Sequence, residues 1–275
     1  MIYLDKTNTS AIKYVEDFIN NNWLPYNDND DCKYINIDFR DIKNPVSTFK
    51  AFFVEEQENI CCYCSRKILN DNNTELEHII PYALSDILEF QLYYDLSPIL
   101  ENNVMPQDTF INTLTKRILP KYPHRIAYHN IVASCNGQTF KGSEGFTCCN
   151  RERGNEFIPP FNLIHNSISY LKDGTIVYLE DLENQNGINI LNLNKPLLQH
   201  IRRLWYLFSL SDLTINEIFQ YELPLDEHIV INAINHSPQI EKDTNLLKVF
   251  TNGLWDIFTQ YSFFFNYYRI NYPSN

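Results

Sequence analysis

The first residues that could do chemistry are cysteines. Six of the seven lie between positions 61 and 149. Cys61 and Cys64 have Cys-x-x-Cys spacing, which lets two thiolates from one tight turn grip a tetrahedral metal at about 2.3 Å. A second group follows at Cys135, Cys148 and Cys149. Two groups predict a structural zinc held by Cys61, Cys64, Cys135 and Cys149, with Cys148 as the alternative to Cys149. A redox dithiol is the competing reading of Cys-x-x-Cys, but the thioredoxin-like βαβ context it needs is missing. Cys32 stands outside the set and is read as structural.

Between the two groups runs E-L-E-H-I-I-P-Y, positions 75–82. Glu77 offers a hard oxygen suited to Mg²⁺ or Mn²⁺. His78 titrates near neutrality and can take a proton from water. The plainer reading is the polar end of a buried strand. Among the other histidines, His129 is expected on the opposite face of its strand from Asn130. His124 is expected at the surface of a basic insertion, and His165, His200, His228 and His236 carry no motif.

The elements that must position these residues follow from periodicity. Positions 10–23 have apolar residues at helical spacing with Ser10 as N-cap, and VSTFKAFFVEEQEN forms a second helix leading into I-C-C-Y-C. A strand ends at Pro81, HNIVASC (129–135) is another, and 83–127 reads as an irregular or weakly helical insertion. Beyond Pro159-Pro160, DGTIVYLED and GINILNLN alternate as two strands of a hairpin, and PLLQHIRRLWYLFSL is a strongly amphipathic helix. The remaining aromatic stretch is mostly helical and reads as core.

The chain of 275 residues is long enough to bury a core and has a net charge of −12. Acidity argues against general attraction to nucleic acid, which depends on Lys and Arg neutralising phosphates. Local basic spots stand at Lys116, Arg117, Lys121 and Arg125, and at Arg151 and Arg153. The latter pair could hold phosphate or simply solvate a helix. No apolar run has the length of a membrane span, and MIYLDKTNTSAIKY has neither the basic nor the apolar region of a signal peptide. Cytoplasmic residence is the expectation.

In order, C-x-x-C, L-E-H-I-I-P, H-N-I-V-A-S-C and C-N-x-x-R-G resemble an HNH endonuclease of the ββα-metal fold. Together with R-G-N-E-F-I-P-P and G-I-N-I-L-N-L-N-K-P-L-L-Q-H-I-R, they look like the HNH subunit of Septu-type anti-phage systems and retron-associated HNH proteins, over roughly residues 45–205. The resemblance implies that His78 is the general base and that Glu77 and Asn150 bind the catalytic ion. It implies that Asn130 orients His78 through the adjoining strand, and that Arg153-Gly154 stands for the family's Lys-Gly. It further implies a DNA substrate and a controlling ATPase partner of the ABC/SMC-like type. The sequence departs from the family in the long loop separating Cys135 from Cys149, and in the size of the insertion.

The expected fold is α+β: a zinc-stabilised ββα-metal HNH core (56–160, with insertion 83–127) between an N-terminal helical segment (1–55) and a hairpin plus helical, aromatic-rich C-terminal region (161–275). Two other readings share these residues, a non-catalytic zinc-stabilised protein-binding module and an RNA nuclease of the same fold.

Overall fold

The computed structural model describes residues 1–22, 45–84, 87–106, 109, 122–138, 147–163, 167–179, 186–212, 214–220 and 255–273. Cys32, Lys116, Arg117 and Lys121 lie outside the described residues. The architecture is α+β, with helices around small two-stranded sheets. No helix among the described residues is long and apolar enough to cross a membrane. Two compact units divide the chain. One comprises Met1–Tyr63, Ile68–Asn136 and Arg153–His165, the other Cys64–Lys67, Gly137–Glu152 and Asn166–Asn275.

In the first unit, α1 (Thr9–Asn22) starts where the Asn8 side chain accepts the amides of Ser10 at 3.1 Å and Ala11 at 3.2 Å. Asn8 is therefore the cap and Ser10 lies inside the helix, which starts two residues earlier than expected. The amide acceptor of an Asn reaches these orphan donors as well as a serine hydroxyl does. α2 (Pro45–Glu56) buries Phe49, Phe53 and Val54, and its Phe52 stacks on Tyr14 of α1 at 4.6 Å. The helix ends in two left-handed residues, Glu58 and Asn59, with the Asn59 amide returning to Val54 O at 2.8 Å. That return bond satisfies an orphan carbonyl and turns the chain into the Cys61 knuckle.

β1 (Thr74–His78) pairs antiparallel with a later strand, Ile131–Cys135, which places Glu77 opposite Val132 and His78 opposite Ile131. Between them lie α3 (Ile87–Leu96), α4 (Pro98–Asn103), β2 (Val104–Met105) and β3 (Tyr122–Pro123), the last two parallel to each other. The pairing strand is therefore β4. A 3₁₀ turn at Tyr128–Asn130 precedes it, so the strand is shorter than H-N-I-V-A-S-C suggested. The Gln57 side chain pairs with β4 as a strand backbone would: Nε2 donates to Ala133 O at 2.7 Å, and Oε1 accepts from Ala133 N at 2.8 Å.

α5 (Asn150–Arg153) is a single turn between left-handed Cys149 (φ 57) and left-handed Gly154 (φ 58). In the second unit, β5 (Ile168–Tyr170) and β6 (Ile176–Tyr178) form a hairpin whose turn contains Gly174. Any Cβ there would meet Gln199 O at 2.0 Å, so this close approach requires glycine. The expected partner strand, GINILNLN, is instead α6 (Gly187–Ile190) followed by turns. Ile188 and Leu191 bury together at helical spacing, and left-handed Asn192 ends the turn with Leu193 N bonded to Ile188 O at 2.9 Å. Apolar residues spaced this closely satisfy either period, and burial selects the helical one. One residue of that segment still pairs with β6: Asn194 accepts from Ile176 N at 2.8 Å and donates to Ile176 O at 3.0 Å.

α7 (Pro196–Ser209) has its predicted amphipathic character and buries Leu198, Ile201, Leu204, Trp205 and Phe208. α8 (Ile215–Gln220), α9 (Trp255–Thr259) and α10 (Phe263–Asn271) follow. Trp205 stacks on Phe258 at 4.2 Å with 6° between the rings, and its indole donates to Phe258 O at 3.0 Å. The aromatic stripe is core, as its composition suggested.

Candidate metal centre and histidine site

The sulfur atoms of Cys61, Cys64, Cys135 and Cys149 all lie within 4.8 Å of one another and are buried. Four thiolates around zinc at about 2.3 Å have sulfur–sulfur edges of about 3.8 Å, so this donor set fits such an ion. Its members are the first-choice four, with Cys149 rather than Cys148 in the group. Cys148 sits beside it, Sγ to Sγ 3.5 Å from Cys149. No disulfide joins the six described cysteines. The Cys135 amide donates to Cys61 Sγ at 3.3 Å, a bond that favours the thiolate form of a metal ligand.

Strand alternation puts Glu77 on the face of Glu75 and His78 on the face of Leu76. Glu77 is 7 % exposed. Burial pushes its carboxyl up to about 8, while the Arg153 guanidinium pulls it down and Glu75 adds to the rise. The Arg153–Glu77 approach is 3.8 Å, too loose an ion pair to offset that burial. Arg153 itself is 4 % exposed, donating to His78 O at 2.8 Å and to the Tyr63 hydroxyl at 3.2 Å. The expected phosphate contact at Arg153 is thus a buried residue committed to protein partners, because a guanidinium under α5 finds a carbonyl, a hydroxyl and a carboxylate within reach. Arg151 is exposed on the same turn, and Asn150 heads it, directly after Cys149.

His78 Nε2 lies 2.8 Å from Arg125 O. A carbonyl can only accept, so Nε2 donates to it, and Nδ1 is the nitrogen left to accept a proton. Asn130 is fully buried, and its amide hydrogen-bonds to backbone groups rather than to this imidazole. Its Oδ1 accepts from Ile80 N at 2.6 Å, and Nδ2 donates to Ile80 O at 3.1 Å and His124 O at 2.7 Å. With Ile79 N bonded to Asn130 O at 2.9 Å, the backbone just after His78 is clamped.

His124 is buried, not at the surface. Its ring lies edge-on to Phe90 at 4.9 Å, and Nε2 meets Tyr82 O at 3.2 Å. Burial pushes it down to about 3. His129 is also buried and pushed down to about 4, first by burial and then by the Lys6 charge. Sequence reasoning assigned no role to Tyr82, whose ring lies 5.8 Å from that of His78, nor to Arg125 beyond a basic spot. The proline beside Tyr82 and the charge of Arg125 were visible, but Arg125 reaches His78 only across the whole insertion. No known family model matches the chain, and no curated protein or solved structure matches it either.

Proposed function

We propose that the protein is a metal-dependent HNH endonuclease that hydrolyses DNA phosphodiester bonds. The observation that carries this reading is the placement of His78: an imidazole held at Nε2 by Arg125 O, at a strand end just past which Ile80 is clamped by Asn130. Such a ring presents Nδ1 as the base that takes a proton from an attacking water. The order of strand, strand and short helix around the cysteine cluster supports it further, since these are the parts of a ββα-metal site.

Glu77 and Asn150 are the oxygen donors suited to Mg²⁺ or Mn²⁺, and the buried Glu77 carboxyl lacks enough nearby positive charge to ionise easily. The ion, when bound, would stabilise charge on the phosphate and on the departing 3′ oxygen. Arg153 holds the strand end through His78 O. The zinc of the four cysteines is structural. On the resemblance of its motifs, the chain acts in the cytoplasm as the effector nuclease of an anti-phage complex, under an ABC/SMC-like ATPase. Its net charge of −12 suits a nuclease whose access to DNA depends on a partner.

The test is His78→Ala in a plasmid-nicking assay with Mg²⁺ or Mn²⁺, run with and without an ATPase of the ABC/SMC-like type. Cleavage should fall by about 10²- to 10⁴-fold with zinc content and melting temperature preserved. Undiminished nicking by the variant would show the reading to be wrong. The same assay on RNA distinguishes the nucleic acid cleaved.

A further inference from the structure

We infer that Arg125 is a phosphate-binding catalytic residue of the His78 site, its guanidinium set by Tyr82 to grip a non-bridging oxygen of the scissile phosphodiester. This rests on the nuclease reading above and names the cation that reading lacks. Arg153 is committed to Tyr63, His78 O and Glu77. Arg125 is built differently. Its backbone carbonyl holds the imidazole at 2.8 Å, so its position follows that of the base. Its side chain lies over the Tyr82 ring, Cζ 4.1 Å from the centroid, with Nη1 donating to the Tyr82 hydroxyl at 3.2 Å. That ring is itself 5.8 Å from the His78 ring.

Among the described residues nothing neutralises the charge on Arg125. No carboxylate among the described residues forms an ion pair with it, and its Nε is buried without a hydrogen-bond partner. A ring face and a neutral hydroxyl hold a guanidinium in place and leave its positive charge uncompensated. The residue is half-buried, so a ligand can still reach it. An arginine kept charged, oriented and reachable beside a general base suits an anion that must be held while water attacks it. In the step, the water oxygen bonds to phosphorus, the P–O3′ bond breaks, and the water's proton passes to His78 Nδ1. The departing oxygen collects a proton from solvent. Arg125 gains no covalent bond and offsets the negative charge that builds on the phosphate.

The experiment uses the full chain with Mn²⁺ or Mg²⁺, together with an ATPase of the ABC/SMC-like type, and compares Arg125→Ala, Arg125→Lys, Tyr82→Phe and His78→Ala. Substrates are a DNA duplex and the same duplex carrying a single methylphosphonate of either stereochemistry at a mapped cleavage position. Arg125→Ala keeps the carbonyl that holds His78 and should lower kcat by about 100-fold. Arg125→Lys should recover part of this, since the charge survives and the fork does not, and Tyr82→Phe should show a smaller loss. One methylphosphonate isomer should slow the wild-type chain and barely slow Arg125→Ala further, because the contact it removes is already gone. A wild-type rate in Arg125→Ala while His78→Ala is inactive overturns this inference and leaves the nuclease reading standing. So does a methylphosphonate penalty that is undiminished in Arg125→Ala for both isomers, which would make Arg125 a fold residue only. Equal cleavage by His78→Ala and wild type, or no metal-dependent cleavage by wild type, overturns both.

Discussion

The two units bury their polar side chains in opposite ways. Around the β1–β4 pair the buried set includes Lys6, Glu77, His78, His124, His129 and Arg153, all groups whose charge can change or must be balanced. Around α7 and α10 the interior is rings, and Arg202 is the buried charged residue among those described. Its donors end on neutral carbonyls, Gly174 O at 2.5 Å and Leu193 O at 2.9 Å, which tie a turn and a loop to the helix. Arg153 instead faces a carboxylate and the carbonyl of the candidate base. Buried charge in the second unit is scaffolding. In the first it remains coupled to protonation, which is what acid–base chemistry requires and what makes that unit sensitive to pH.

The cysteine cluster is where the comparison can be broken most forcefully. Cys61→Ser, or a strong zinc chelator, should unfold the knuckle and strip protection from the β1–β4 amides, since binding energy of a structural zinc, about 10 kcal/mol or more, is folding energy. Hydrogen exchange with parallel zinc analysis reads this, and retained protection in a zinc-free chain would deny the ion any structural role. Trp205→Ala should come next, at about 3–5 kcal/mol from the lost stack with Phe258 and the cavity left behind. Its loss of protection should fall on α7 and α10 and be the same at pH 5 and pH 7. Equal loss across β1–β4 would mean that the units do not unfold separately.

The smallest effect is the most diagnostic of the contrast. His124 and His129, pushed down to about 3 and about 4 mainly by burial, stay neutral in the fold while the unfolded chain takes up protons below about pH 6.5. Stability should therefore fall as pH drops through that window, by about 2 kcal/mol per histidine at pH 5. Glu77, pushed up to about 8, has the opposite slope: the fold holds its proton above the usual carboxylate range, so stability of the chain in the absence of Mg²⁺ and Mn²⁺ falls as pH rises from about 4.5 to 8. Melting curves of His129→Gln should show a flatter acid limb and those of Glu77→Gln a flatter alkaline limb. Unchanged limbs would place these groups in contact with water.

Much of this was readable in the chain. Helical spacing located α1, α2 and α7, and Cys-x-x-Cys with the later cysteines located the cluster, because ligand spacing and amphipathic period are local properties. Settling Cys149 over its alternative Cys148 needed the positions of the sulfur atoms in the fold, which no local pattern announces. GINILNLN misled because short apolar runs fit two periods. His124 and Arg153 misled because charge near charge in sequence looks like surface, whereas each is buried against partners far along the chain, Phe90 for one and His78 O for the other. Arg125 meets His78 only through the fold of the long insertion between them.

The amide of Asn130 grips both polar groups of Ile80, accepting from N and donating to O, while its nitrogen also serves His124 O. Loss of ammonia from that side chain would leave its shape almost intact and turn the donor into an oxygen facing two carbonyls. A chemical change of about one mass unit, invisible to packing, would then repel the backbone on which His78 is mounted. The slow hydrolysis of a single amide would thus act as a clock on the site, with age appearing as lost orientation rather than as a lost residue.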